Sequence, residues 1–188
     1  MGRWEPNARS RLEQAALDLY LEHGFERTSV AEIAQRAGLT ERTFFRHYAD
    51  KREVLFSCPS LLQQLFADAV TQAPKSATPI EAVAAAIEAT AAVLQERREY
   101  TLRRQTVIAA SVELQERELI KLASLSATLA DALRQRGVED ACANLAAEAG
   151  IAVFKIATRL WVEQSGQGDL SRFVKESFEG LRAVTAGT

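Results

Sequence analysis

Apolar residues recur along this chain at helical spacing, and no β-rich alternating run competes with them. Leu12, Ala15, Ala16 and Leu19 share one face, which predicts a first helix over about Arg9 to Glu22 with Gly24 just past its end. Val30, Ile33, Ala34 and Ala37 recur at i, i+3, i+4 and i+7, a narrow face on a helix of only about two turns. Ser29 and Glu32 stand before it in S-x-x-E spacing, where hydroxyl and carboxylate satisfy each other's backbone N–H groups; Thr28 is a competing cap. Gly38 ends this helix, Leu39 supplies an apolar plug, and Thr40 caps a third helix whose first residue, Glu41, suits the positive end of the dipole. Phe44 and Tyr48 share the inward face of the third helix, leaving Thr40, Arg42, Thr43, Phe45, Arg46 and His47 for its outer surfaces. Two short helices joined by Ala37-Gly38-Leu39 read as a helix-turn-helix, whose second helix can present arginine and threonine to a major groove.

A fourth helix is expected to open at Asp50, in capping-box spacing with Glu53, with Lys51 and free amides offering a phosphate seat. Val54, Leu55, Leu61, Leu62, Leu65, Phe66, Ala69 and Val70 continue it, and Pro59 predicts a kink or break at Ser57 to Pro59, since an interior proline costs on the order of 3 kcal/mol. This helix is the one predicted element that joins the N- and C-terminal regions without a long loop, and Pro59 is its candidate hinge. Ala73 to Pro79 reads as a loop, followed by an alanine-rich helix to about Arg97 that neighbours can approach closely. Residues 98 to 136 predict two helices with a break near Ser111 and a stop at Gly137; Arg103 and Arg104 read as a solvated face, the alternative being a buried arginine that meets an acidic ligand. In Asp140 to Glu163, the polar residues Asn144, Glu148, Lys155, Arg159 and Glu163 fall on one stripe. The rest, including Leu145, Ile151, Val153, Phe154, Ile156, Leu160, Trp161 and Val162, is apolar over more than the usual ~100° arc, which one core cannot cover. Leu170, Phe173, Val174, Phe178 and Leu181 give the last helix a similar stripe, so the two helices predict a four-helix seam with a second copy of the chain. The fold class is all-α.

Composition narrows the function. The 188 residues can bury a sizeable core, 47% hydrophobic content excludes a disordered chain, and a net charge of −2 argues against coating nucleic acid by bulk charge. Charge is nevertheless uneven: within 36 to 52, Arg36, Arg42, Arg46, Lys51 and Arg52 face only Glu41 and Asp50. Cys58 and Cys142 make no disulfide framework and no C-x-x-C, which suits a reducing cytoplasm. The N-terminus lacks a signal-peptide pattern, and Ile151 to Val162, interrupted by Lys155 and Arg159, is too short to span a bilayer, so a soluble protein with no membrane partner is expected. Catalysis is disfavoured: the histidines are His23 and His47, one at a helix end and one inside the motif, and no metal-ligand or cofactor spacing occurs.

The run TFFRHYADKREVLF resembles the DNA-binding domain of the TetR/AcrR family of bacterial regulators, following its T-[LF]-[YF]-x-[HY]-[FY]-x-[SD]-K-x-[ED]-L-[LF] pattern nearly position by position; the likeness covers residues 9 to 56. Phe45 departs from it, standing where the family often has a tyrosine whose hydroxyl reaches a phosphate. The resemblance implies an N-terminal helix-turn-helix domain over 1–56 and a helical ligand-binding and dimerisation domain over 57–188. It further implies a repressor that binds a palindromic double-stranded DNA operator as a homodimer through its last two helices and is released by a small-molecule effector. The residues expected at DNA are Thr28, Ser29, Arg36, Thr40, Glu41, Arg42, Thr43, Phe45, Arg46, His47 and Lys51; Arg3, Arg9 and Arg11 form a basic N-terminal arm that either reaches DNA or is a frayed terminus. Phe66, Gln105, Phe154 and Trp161 are the candidates to line the effector site. The alternative is a helical protein-interaction module with a degenerate DNA-binding helix, which Phe45 favours.

Overall fold

The computed structural model describes residues 8–56, 59–165 and 167–186; the expected arm residue Arg3, as well as Ser57 and Cys58, lies outside them. Among the described residues the helices are α1 (Ala8–His23), α2 (Val30–Arg36), α3 (Glu41–His47), α4 (Pro59–Gln72), α5 (Pro79–Glu96), α6 (Arg98–Ala109), α7 (Val112–Gln135), α8 (Asp140–Glu163) and α9 (Leu170–Ala186), with a short 3-10 turn at Glu53–Phe56. The protein is all-α. The fourth helix does not open at Asp50 as expected. Asp50 instead accepts from the backbone N–H groups of Arg52 (2.8 Å) and Glu53 (3.2 Å), capping the 3-10 turn, and α4 starts afresh at Pro59. Proline at a first helical position loses no backbone bond, so a new start costs less than a kink.

The chain divides into two compact units, Met1–Ser57 with Arg103–Leu119, and Cys58–Leu102 with Ile120–Thr188. The first therefore takes in a segment of the expected 57–188 domain. α6 and α7 each have one end in either unit, whereas α4 lies wholly in the second, so the expectation that the fourth helix joins the two regions is corrected.

In the first unit, Leu12, Ala15, Ala16 and Leu19 of α1 are buried with Ile33, Ala34 and Ala37 of α2 and Phe44 and Tyr48 of α3. The large side chains among them each contribute roughly 1.5–3 kcal/mol by leaving water. Residues 103–119 are fastened to this unit by charge. Arg103 pairs with Asp18, Arg117 with Glu53, and Arg52 with Glu113 at 3.1 Å. Arg104 donates to the Leu55 carbonyl (2.7 Å) and to Glu118 (3.3 Å), with its guanidinium 4.8 Å from the Phe56 ring centre. The expected solvated face at Arg103 and Arg104 is thus corrected to an internal fastening.

In the second unit α5 packs on α4, α8 and α9, and α8 on α9. The alanine-rich face of α5 lets α8 come so close that a Cβ on Gly150 would lie 2.2 Å from Val83 Cγ1. Arg136 closes the C-terminal end of α4, donating to the carbonyls of Val70 (2.8 Å), Ala73 (2.7 Å) and Pro74 (2.7 Å). Leu170, Phe173, Val174 and Phe178 of α9 are buried in this core, so the expectation that Phe178 lies in a seam between chains is corrected: its partners are in its own chain. α8 differs. It buries Ile151, Val153, Phe154, Ala157 and Trp161, yet leaves Leu145 (73%), Ile156 (44%) and Leu160 (37%) exposed on another face. At 24 residues, and with mean hydropathy 1.3 in its most apolar window, α8 is long and apolar enough to cross a bilayer by length and composition; the stretch read as too short is part of a longer helix. Its apolarity is divided between the core and the exposed stripe.

Candidate nucleic-acid interface

The helix-turn-helix is built by its caps. Ser29 Oγ accepts from the Glu32 N–H (3.2 Å) while Glu32 Oε2 accepts from the Ser29 N–H (2.8 Å), the reciprocal pair that S-x-x-E spacing predicts. The Ser29 hydroxyl also donates to Glu32 Oε2 (2.7 Å), and this bond, followed by that from the Ser29 N–H, holds the Glu32 carboxyl below the usual range. At the other end the Leu39 N–H reaches back to the Ala34 carbonyl (2.8 Å) and the Gly38 N–H to that of Gln35 (3.0 Å), with Gly38 at φ +64. That closing turn needs a left-handed residue, which glycine adopts without strain. Thr40 Oγ1 then accepts from the Thr43 N–H (3.2 Å) and starts α3, which ends as Tyr48 turns extended.

The rear of α3 is fixed by Phe44, fully buried, and by Tyr48, whose hydroxyl donates to Glu13 Oε1 at 3.0 Å. Burial, followed by the nearby Glu13 charge, pushes the Tyr48 hydroxyl well above the usual tyrosine range, so it stays a donor. Glu41, Arg42, Phe45, Arg46 and His47 are exposed and Thr43 is half-buried. Thr40 and Thr43 hydroxyls bond each other at 3.0 Å. Among the described residues, Arg42 and Arg46 make no hydrogen bond or ion pair. One turn apart on the solvent side of α3, they are two long cations with donors open to a ligand.

The other expected DNA residues are placed differently. Thr28 is 2% exposed and donates to the Gly24 carbonyl (2.9 Å), so it belongs to the α1–α2 loop and not to a surface. Arg36 forms a two-bond pair with Glu22 (2.9 and 2.8 Å), which holds the Glu22 carboxyl low. Lys51 turns inward: Nζ donates to the carbonyls of Phe25 (2.9 Å), Glu26 (3.3 Å) and Thr28 (3.0 Å) and lies 4.3 Å from the Phe25 ring centre. Its three N–H donors are all engaged, and the Tyr20 hydroxyl holds its backbone through the Lys51 carbonyl (2.6 Å). Its expected place at a phosphate therefore gives way to a place in the loop. Arg9 and Arg11 are in α1 and form no arm, with Arg9 beside Glu13 (3.4 Å) and Arg11 donating to the Gly38 carbonyl (3.4 Å).

The expected effector residues do not assemble as a set. Phe66, Phe154 and Trp161 share the buried core of the second unit, while Gln105 belongs to the first unit and donates to Glu118 at 3.0 Å. Trp161 is fully buried and its Nε1 donates to the Gly168 carbonyl (3.3 Å). A groove of about 540 Å³ lies elsewhere, lined by Pro79, Ile80, Glu139, Ala141, Cys142, Leu145 and Ala146.

The first unit has the architecture of a helix-turn-helix protein. Residues 13–58 match the model of bacterial regulatory proteins, tetR family. The HTH-type transcriptional regulator TcmR of Streptomyces glaucescens is 37% identical over 81 residues, 43% of this chain and 36% of TcmR. Among solved structures, SmeT in its triclosan complex is similar with a TM-score of 0.65 at 21% identity, over 92% of this chain and 90% of that one. FadR from Bacillus subtilis in complex with stearoyl-CoA gives 0.59 at 20% identity, over 90% and 95%. These two likenesses extend the shared fold to the C-terminal helices. Residues 13–58 thus resemble the DNA-binding region of tetR-family regulators, and the chain is similar to transcriptional regulators of that family. It spans about a third of the length of TcmR.

Proposed function

We propose that the chain is a ligand-responsive transcriptional regulator, a repressor that binds a palindromic DNA operator as a homodimer in the cytoplasm and is released by a small molecule. The observation that carries this reading is the pair Arg42 and Arg46, exposed and without a partner among the described residues, on a capped second helix of a helix-turn-helix. Arginine in that setting can bond guanine bidentately, while Thr43, Phe45 and His47 flank it on the same helix. Thr40 and Glu41 at the start of α3, and Ser29 at the start of α2, are exposed at the helix ends that carry free amides. The dimer is supported by the exposed apolar stripe of α8, where Leu145, Ala149, Ala152, Ile156 and Leu160 recur at helical spacing. A two-fold contact sets the same stripe against itself. Release by a small molecule is supported by fold-level analogy with SmeT, solved with triclosan, and FadR, solved with stearoyl-CoA. Phe66, Phe154 and Trp161 are buried in the core of the second unit, and an effector that used them would have to enter that core.

Selection of random duplex DNA with the full-length protein tests the reading. An inverted repeat is expected, with half-site centres about one turn, roughly 34–36 Å, apart. Recovery of single unpaired half-sites would contradict the dimer on DNA, and recovery of no preferred sequence would contradict the regulator.

A further inference from the structure

The outer surface of α3 carries one side chain that polar recognition does not explain. Phe45 is 56% exposed, a large apolar ring left in water on a helix of only 7 residues. Its ring packs in a T-shaped contact with the fully buried Phe44, with centroids 5.4 Å apart and planes at 82°. It follows Arg42 by three positions and precedes Arg46 by one, so it flanks the two exposed arginines.

A phenyl ring has no donor for a phosphate oxygen and none for a base edge. On duplex DNA the major groove offers it one apolar group that differs between bases, the 5-methyl of thymine. Resting on the reading-helix assignment above, we propose that Phe45 is a specificity-determining residue that reads a thymine methyl group in each half-site. Its ring, packed on Phe44, supplies an apolar wall beside Arg42 and Arg46, which bond polar edges of neighbouring base pairs. Chemistry at one position is thus apolar, and replacing it by a hydroxylated ring would add a donor that this site does not use.

The test uses the full-length protein and the duplex it selects, with each thymine replaced singly by deoxyuridine, which pairs identically but lacks the methyl. One position per half-site is expected to weaken wild-type binding about fourfold, the effect of withdrawing one methyl from an apolar contact. Phe45→Ala is expected to bind the thymine and uracil duplexes equally, and Phe45→Leu, which keeps an apolar side chain, to retain part of the difference. Circular dichroism of both variants should match wild type, because the ring is largely exposed. Uracil tolerated at every position by the wild type would overturn the proposal. So would a Phe45→Ala protein that loses affinity for both duplexes alike while still sensing the methyl, which would put the ring against deoxyribose. If no duplex is selected at all, the regulator reading itself falls, an outcome distinct from either of these.

Discussion

α8 and α9 both carry apolar residues at helical spacing, and they place them differently. α9 has one stripe, and Leu170, Phe173, Val174 and Phe178 are consumed by the core of its own chain. α8 has apolar residues on two sides; one side enters that core and the other leaves Leu145, Ile156 and Leu160 in water. The arginines of the first unit divide in the same manner. Arg36, Arg52, Arg103, Arg104 and Arg117 have carboxylates or carbonyls as partners, whereas Arg42 and Arg46 on α3 have none among the described residues. Residue type and periodicity mark a capacity to bind. Whether that capacity is already satisfied inside the chain decides if it holds the fold or is open to a partner.

The largest effect expected from this contrast separates α9 from α8. Phe178→Asp buries an uncompensated charge and is expected to cost several kcal/mol, enough to unfold the second unit. Ile156→Asp, on the exposed stripe, is expected to leave a folded chain that sediments as a monomer. A dimer that survives Ile156→Asp would move the seam off this face.

On DNA, Arg42→Ala and Arg46→Ala are each expected to cost about 1–3 kcal/mol of operator binding, with thermal unfolding unchanged. Arg104→Ala is expected to do the reverse. Removing its bonds to the Leu55 carbonyl and Glu118 should lower unfolding free energy by about 1–3 kcal/mol in denaturant titrations, while the folded fraction keeps its base preferences.

The smallest effect concerns acid stability. The Arg52 guanidinium, its first cause, and the backbone N–H groups of Glu53 and Arg52 hold the Asp50 carboxyl below the ordinary aspartate value near 3.8. A depressed folded value means that stabilisation is present in full above the unfolded value and is lost as pH falls through the folded one. Asp50→Asn should therefore flatten the fall in stability below about pH 4 that the wild type shows in acid titration followed by circular dichroism.

Much of the architecture was legible because its causes are local. Ser29 with Glu32, Gly38 and Thr40 satisfy or release backbone groups within a few residues, so their spacing alone locates α2, the turn and α3. Ser111 and Gly137 mark helix ends for the same reason. The failures share the opposite cause. Arg103 meets Asp18 across 85 positions and Arg104 meets Leu55 across 49, separations at which a single sequence has no periodicity to read. Lys51 finds its carbonyls 23 to 26 positions away, and nothing near it in sequence indicates that they converge. The basic excess over 36 to 52 was real as a count, but Glu22, Glu113 and the loop carbonyls that answer Arg36, Arg52 and Lys51 lie outside that window. Arg9 does have a local signal: Glu13 stands four residues on, a helical ion-pair spacing that places Arg9 in α1.

The central claim, that open arginines read DNA while engaged cations hold the fold, is tested most directly by comparing Arg42→Ala with Lys51→Met. Base preference and salt dependence of operator binding would be measured for both at equal folded concentration. Arg42→Ala is expected to relax preference at particular base pairs. Lys51→Met is expected to lower thermal stability, since three carbonyls lose their donor, and to keep both the preference and the salt slope. A salt slope reduced by about one in Lys51→Met, with stability unchanged, would mean that this ammonium leaves the loop for a phosphate and would contradict the account.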